Sequence, residues 1–349
     1  MAETLADIRC VGVGAGSLDY YPPVMYLHER YRPEYMDGLQ FEAGQKRGLT
    51  ATDEWRFELL RNDAHTGQRV GGNMLNAVAA LRQRWGVDVL TVAMALGEDD
   101  PASVAIRAEM GRLDIRDSSV TSSSYEPSEG IIVRACEEDT LLDRMVLGRP
   151  RSPLLPLVSK EYIEDQVGGA DVVIAASIKD PTVNEWVCET ADPDAFLAWN
   201  FGSSELVDYP WALRKMLHTR PADLLSLNIE EAQQLLELNY RQRNPFFIIK
   251  ECLQYAKAVA LTNGSEGLWI ARSKGLKSLA FEVGRCVGPE LSLEKVDAVD
   301  TLGAGDAVNA AAIAGLVLNL PAQEIAENCA AAGKEAVQHV GAHEYVFAK

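Results

Sequence analysis

The densest run of chemically useful residues is Asp300-Thr301-Leu302-Gly303-Ala304-Gly305-Asp306, which leads into Ala307-Val308-Asn309-Ala310-Ala311-Ala312-Ile313. The pattern predicts a small-residue turn followed by a helix of about four turns over Ala304–Leu318. Gly303 and Gly305 would let the backbone come close to a ligand. The unpaired N–H groups of Gly303, Ala304, Gly305 and Asp306 would point at that ligand, and the helix dipole favours an anion there. Asp306 could accept a proton from a hydroxyl while the N–H groups hold the charge building on a transferring phosphoryl group. A base beside an anion hole suits phosphoryl transfer to an alcohol. The plainer alternative is a glycine-containing helix start with Asp306 as an ordinary first-turn acid.

Three further sets of residues could serve such a reaction. Asn228 and Glu231 lie three apart at a predicted helix start, so both side chains can face one side. Glu231 is suited to holding magnesium through waters, because that ion keeps much of its hydration shell. A cap followed by a solvated acid would look the same. Thr262-Asn263-Gly264-Ser265-Glu266-Gly267 ends an apolar strand, the place where ligands collect in open α/β sheets, although a plain glycine turn also fits. Asp19 and Asn76 offer acceptor and amide groups suited to sugar hydroxyls, and Asp19 could instead cap a turn.

Other chemistries are excluded by spacing. Gly12-Val13-Gly14-Ala15-Gly16-Ser17 does not complete a GxGxxG, and Pro22-Pro23 denies it the helix that a dinucleotide site requires. There is no GxxxxGK[ST] loop. The five histidines (His28, His65, His218, His339, His343) form no HExxH or other close ligand pair, so zinc is not expected.

The elements that must position these residues alternate in type. Strands are predicted at Ile8–Ala15, Val87–Leu96, Asp171–Ala176, Ala195–Asn200, Asp223–Leu227 and Ala258–Thr262. Helices are predicted at Asn73–Trp85, Asp100–Arg112, Pro181–Thr190, Glu205–His218, Glu230–Leu238, Pro245–Lys257, Ala304–Leu318 and Ala322–His339. Strands alternating with helices predict an α/β fold, a central and mainly parallel sheet covered on both faces. The stretch between Thr262 and Ala304 reads as irregular. Gly130–Ala135 and Leu141–Val146 read as two strands around an acidic turn. The polar interval from Tyr20 to Val70, with Tyr20, Tyr21, Tyr26, Tyr31 and Tyr35 in its first part, is too long for a plain loop. It is read as a small lid or insertion beside the site, within a single domain spanning residues 1–349; a solvated surface excursion is the alternative.

Composition sets the outer limits. The chain has 349 residues, 47% hydrophobic and 24% charged, which is ordinary for a globular protein. Lys and Arg total 33 against 51 Asp and Glu, a net charge of −18, with no basic run longer than a pair. Such a chain repels phosphate backbones, so nucleic acid is not an expected partner. No apolar stretch approaches the roughly 20 residues needed to span a bilayer, and the N-terminus lacks the basic-then-apolar order of a signal peptide. Six cysteines without CxxC spacing fit buried thiols in a reducing compartment. A soluble, cytoplasmic protein is expected.

Asp300-Thr-x-Gly-Ala-Gly-Asp306 resembles the C-terminal signature of the ribokinase-like, or PfkB, family of carbohydrate and nucleoside kinases. Further motifs follow in that family's order. Gly71-Gly72-Asn73-Met74-Leu75-Asn76 is similar to its Gly-Gly element, which implies that Gly71, Gly72 and Asn76 line the acceptor site. Gly97-Glu98-Asp99 resembles its Gly-x-Asp. Asn228-Ile-Glu-Glu231 resembles its Asn-x-x-Glu, implying contact with magnesium and phosphates. Thr262-x-Gly264-x-x-Gly267 is similar to the segment along the nucleotide. Asp19 stands, at the end of the first strand, where the family has the acid that binds substrate hydroxyls. Arg144 resembles an arginine that some relatives carry near the phosphates. Asp300, with Gly341-Ala342, resembles residues near a monovalent-cation site, which leaves potassium open.

The resemblance spans Gly14 to Gly341. It implies the ribokinase-like fold with a small lid and MgATP-dependent phosphorylation of a hydroxyl on a sugar or sugar-like molecule. Asp300–Asn309 and Cys329–Lys334 are locally similar to ketohexokinase, whereas Trp199-Asn200-Phe201-Gly202 is more like the corresponding segment of adenosine kinases. A nucleoside kinase, whose base Trp199 or the tyrosine cluster would stack, therefore stays open. So does a catalytically silent member that serves as a binding or scaffold protein. The acceptor, the use of ATP rather than ADP, and a homodimeric state are not fixed by the sequence.

Overall fold

The computed structural model describes residues 5–22, 25–26, 46–48, 53–62, 66–87, 89–137, 140–149, 151–155, 157–273, 281–287 and 300–340. Its frame is a nine-stranded sheet. In spatial order this runs β17 (Phe281–Val287), β16 (Gly267–Ser273), β15 (Ala258–Thr262), β14 (Leu224–Asn228), β13 (Phe196–Asn200), β12 (Val172–Ala176), β1 (Arg9–Gly14), β6 (Val89–Ala93) and β8 (Arg116–Asp117). All neighbours from β15 through to β8 pair in parallel; β16 and β17 add an antiparallel edge. Strands such as Val172–Ala176 are buried at every position, as expected of parallel strands covered on both faces.

Helices account for that cover. One apolar cluster contains α2 (Asn73–Trp85), α10 (Ala304–Val317) and α11 (Ala322–Ala336), packed against one face of the sheet. A second cluster holds α4 (Lys160–Val167), α5 (Pro181–Thr190), α7 (Pro210–Thr219), α8 (Ile229–Leu235) and α9 (Pro245–Cys252) against the opposite side of the strands. Helix α10 is buried at every position from Asp306 to Leu316, so it is a core helix wedged between α2 and α11. Gly12 and Gly14 give α2 its close seat on β1. A Cβ at Gly12 would lie 2.7 Å from Met74 Sδ, and one at Gly14 would lie 2.9 Å from Met74 Cβ. The glycines that look like part of a dinucleotide loop are thus packing positions.

A second sheet runs β4 (Lys46–Gly48), β11 (Thr140–Arg149), β10 (Ser128–Glu137), β2 (Ser17–Tyr21) and β5 (Gly67–Gly71), with β3 (Met25–Tyr26) also pairing with β10. Helix α1 (Glu54–Arg61) lies against it through Phe57 and Leu60. Of the interval 20–70, the described strands β3, β4 and β5 therefore share one sheet with the pair β10 and β11.

Four expectations are corrected. The first strand stops at Gly14, and Asp19 lies in the middle of β2 in the second sheet rather than at the end of β1. The helix expected over Glu205–His218 is two, α6 (Ser203–Asp208) and α7, because Pro210 has no N–H to continue the ladder. Val87–Leu96 is likewise two strands, β6 and β7 (Ala95–Leu96), and β7 leaves the main sheet to pair with β9 (Val120–Thr121). The stretch read as irregular after Thr262 contains β16 and β17. Among the described residues no helix is long and apolar enough to cross a membrane.

Candidate active site

The sheet reverses its strand order at β1. The chain goes from β1 out to β6 on one side and later returns to β12 on the other, and the carboxyl ends of strands at such a switch point are where ligands collect in open α/β sheets. Strand register brings the ends into line. Gly14 is opposite Ala176, Ala176 opposite Asn200, and Asn228 opposite Thr262. Asn228 and Thr262, separately singled out in the sequence, are thus neighbours at one edge of the row.

Helix α2 begins at the same end. Gly72, its N-cap, has φ 103° and ψ 131°, and a Cβ there would come within 2.5 Å of the Ala15 carbonyl oxygen, so only glycine fits. One residue on, Asn73 Nδ2 donates to Asn200 Oδ1 at 3.2 Å and ties the start of α2 to the end of β13. One turn further, Asn76 Nδ2 donates to Asp306 Oδ2 at 2.7 Å across the α2–α10 interface. Both residues are buried, Asn76 at 4% and Asp306 at 7% exposure. The Gly-Gly-x-x-x-Asn element and the Gly-Ala-Gly-Asp turn, 230 positions apart, meet in one hydrogen bond.

The turn before α10 is built to present backbone. Gly303 is its N-cap in the left-handed region, with φ 80°. Asp300 is fully buried; its Oδ1 accepts from Leu302 N at 3.0 Å, and its own N–H reaches the Val337 carbonyl beyond α11. A Cβ at Gly305 would meet nothing within 4 Å and Gly305 is exposed, so there is room beside the first turn of α10, whose N–H groups have no partner within the helix. A phosphoryl group fits such a surface by charge and by room.

Asn228 and Glu231 form a reciprocal capping box. Glu231 N donates to Asn228 Oδ1 at 2.8 Å, and Asn228 N donates to Glu231 Oε2 at 2.9 Å. A similar arrangement follows β13, where Gly202 N donates to Glu205 Oε2 at 2.6 Å. Glu205 is buried, and burial pushes its carboxyl above the usual range against hydrogen bonds from Gly202, Asn184 and Lys179 that pull it down. Its Oε1 holds Lys179 N at 2.8 Å, in a loop where Ser177 and Lys179 both adopt positive φ. Thr262 is half-buried, and the Gly264–Glu266 turn after it ends at Gly267, whose φ is 118°.

Asp19 is 8% exposed and is flanked by two glycines. A Cβ at Gly71 would lie 2.4 Å from its Oδ2 and one at Gly130 2.8 Å from its Oδ1; Ser17 Oγ donates to Oδ1 at 3.3 Å. Gly71, Gly130 and Asp19 are thus brought together. Arg144 is opposite Arg134 on β11, with its side chain outside the described residues, as are Gly341 and Ala342. Sequence reasoning missed Asn73, Asn200 and Gly130. It also passed over Asn309, which is 1% exposed with neither amide atom partnered among the described residues. Its spacing of three from Asp306, on one helix face, was the available signal.

This is an α/β ribokinase-like fold. Its sequence matches the description of the pfkB family carbohydrate kinases over residues 46–346, and the chain belongs to that family, phosphotransferases that act on hydroxyl groups. Comparison with curated protein sequences gives no match. Among solved structures, the chain is similar to adenosine kinase from Schistosoma mansoni in complex with 2-fluoroadenosine, at TM-score 0.76 and 15% identity over 95% of this chain and 96% of that one. It is also similar to adenosine kinase from Sinorhizobium meliloti, at TM-score 0.72 and 15% identity over 97% and 96% of the two chains. A probable sugar kinase from Rhizobium etli gives TM-score 0.70 at 13% identity over 97% and 95%.

Proposed function

We propose that the chain transfers the terminal phosphoryl group of MgATP to a hydroxyl of a sugar or sugar-like acceptor, with Asp306 as the base. The observation that supports this is the 2.7 Å hydrogen bond from Asn76 to Asp306, which joins the Gly-Gly-x-x-x-Asn element to a carboxylate in the first turn of α10. Asp306 would take the proton of the attacking hydroxyl as the new P–O bond forms. The N–H groups at Gly303, Ala304 and Gly305 would hold the phosphoryl oxygens, aided by the positive end of α10. Asp19, Gly71 and Gly72 would hold the acceptor, and Thr262, Gly264 and Gly267 would border the nucleotide, with Arg144 near its phosphates.

Magnesium, when bound, neutralises charge on the phosphates. Among the described residues no group of three or more His, Cys, Asp or Glu could ligate a metal directly. The hard oxygens of Asn228 and Glu231, beside Thr262, suit an ion held through its own waters. Asp300 is proposed as part of a potassium site, a role additional to its part in the turn.

The second sheet is read as a lid. It carries Asp19 to the acceptor, and covering the site would keep water from competing for the phosphoryl group.

A nucleoside acceptor would need a flat apolar face for its base. Of the candidates, the side chains of Tyr26, Tyr31 and Tyr35 lie outside the described residues, and Tyr21 is buried with the Arg134 guanidinium 5.5 Å from its ring centre. Trp199 is 1% exposed and stacks on Phe201 at 5.2 Å between ring centroids. Tyr20 is equally buried, edge-on to Phe57, and donates to Glu129 at 2.8 Å. The burial of Trp199, Tyr20 and Tyr21 leaves none of these three rings open to a base, which supports taking the sugar-like acceptor as the first reading. Incubation with MgATP and a panel of hexoses, pentoses and nucleosides, followed by mass spectrometry, tests the choice. A phosphorylated hexose or pentose is expected; phosphorylation of nucleosides alone would refute the sugar assignment.

A further inference from the structure

We infer that Asn76 is a positioning residue for Asp306, an inference that rests on Asp306 being the base. Its Nδ2 sets the direction of the Asp306 carboxylate rather than serving only as a ligand of the acceptor. Three observations support this role. First, the bond to Asp306 Oδ2 at 2.7 Å is the side-chain hydrogen bond Asn76 makes among the described residues, and Asn76 Oδ1 has no partner there. The amide is therefore aligned by the carboxylate and not by a wider network. Second, the orientation has a physical sign. An amide oxygen turned toward a carboxylate would repel it, so the nitrogen must face Asp306.

Third, both groups sit on rigid, buried helices. Gly72 caps α2 in a conformation reserved for glycine, Asn73 anchors the same turn to Asn200, and Asp306 lies in the first turn of α10. The Asn76 bond to Oδ2 restricts rotation of the carboxylate and so limits the directions from which it can take the hydroxyl proton. Fixing a base in this way raises the fraction of encounters in reactive geometry.

A hydroxyl ligand and a positioning donor respond differently to substitution. Asparagine and aspartate can both accept from an acceptor hydroxyl, whereas only asparagine can donate to Asp306. The test uses the full chain with MgATP and whichever of fructose, ribose or adenosine the wild type turns over fastest. Asn76→Ala is expected to lower kcat about 10- to 100-fold, with both KM values within about threefold of wild type. Asn76→Asp is expected to fall below Asn76→Ala, because a second carboxylate replaces the donor. A raised acceptor KM with kcat unchanged in Asn76→Ala, or an Asn76→Asp variant that works as well as wild type, would overturn the inference.

Failure of the base assignment is separable, since it would show as retained turnover in Asp306→Asn. Independently of turnover, Asn76→Ala, Asp306→Ala and the double variant are compared by urea unfolding. Non-additive midpoint shifts are expected, and strict additivity would contradict the coupling.

Discussion

Gly130 faces Asp19 across adjacent strands of the second sheet, so closely that a Cβ on Gly130 would stand 2.8 Å from Asp19 Oδ1. Together with Gly71 it leaves the carboxylate a slot that any side chain would close. Gly130→Ala must push Asp19 aside, and on the proposed role of Asp19 as acceptor ligand a displacement of about an ångström costs about 10- to 100-fold in kcat/KM. The loss should appear chiefly as a higher acceptor KM, measured by steady-state kinetics, with the MgATP KM unchanged. Gly71→Ala should behave alike.

The capping box of Glu231 and its proposed role toward magnesium can be separated by substitution. Glu231→Ala removes one half of the capping box and should lower stability by about 1 kcal/mol in urea unfolding. Glu231→Gln keeps a side chain able to close the box and should unfold nearly as wild type. Both variants should require more magnesium for half-maximal rate, measured by titrating the metal at fixed ATP.

Arg149 pins α1 to the sheet that carries Asp19. It donates to Glu129 at 2.9 Å and Glu54 at 2.7 Å, with its guanidinium 4.1 Å from the centre of the Phe57 ring. Glu129 also accepts from Tyr20, the residue after Asp19. Arg149→Ala leaves Glu129 buried without its cation and should destabilise the protein by about 2–3 kcal/mol, less than a wholly buried pair because Arg149 is partly exposed. Thermal unfolding checks the size. A second check is the acceptor KM, which should rise through the Tyr20–Asp19 strand.

Much of this arrangement can be read from the chain and part of it cannot. The parallel strands announce themselves as short apolar runs, and Gly303–Asp306, Asn228–Glu231 and Thr262–Gly267 all fall at strand or helix ends because ligand-binding turns need glycines, caps and acids in local order. The pairing of Asn76 with Asp306 is invisible locally, since only the packing of α2 against α10 closes a gap of 230 residues. Asp19 was placed on the wrong strand because the break at Ala15-Gly16 hardly interrupts the apolar pattern, though it sends the chain to another sheet. Strands β16 and β17 were also passed over. Strand β17 is interrupted by Gly284 and Arg285 and lacks the continuous apolar signature of the central strands, whereas β16 carries the buried run Leu268–Ala271, a signal that was present in the sequence. Gly130 carries no signal in one sequence, because its importance comes from a neighbour that only the fold supplies.

Alkaline conditions should destabilise the protein in a defined window. Burial pushes the thiols of Cys10 and Cys252 up to about 12 and that of Cys188 to about 11, from an ordinary value of 9.0. Burial likewise raises Tyr20, Tyr162 and Tyr209. The folded state holds protons that the unfolded chain has already released, so this contribution is complete below about pH 9 and lost as pH rises toward 12. The urea midpoint should fall steadily across that range. At pH 8, Cys10, Cys188 and Cys252 should react with a thiol reagent only once denaturant is added.

Acceptor-dependent release of ADP from MgATP, compared between the wild type and Asp306→Asn, tests the central claim most directly. The substitution keeps size and removes the base, so turnover should drop by at least about a hundredfold while thermal-shift binding of MgATP is retained. Turnover that persists in Asp306→Asn at the wild-type rate would contradict the assignment of Asp306 as the base.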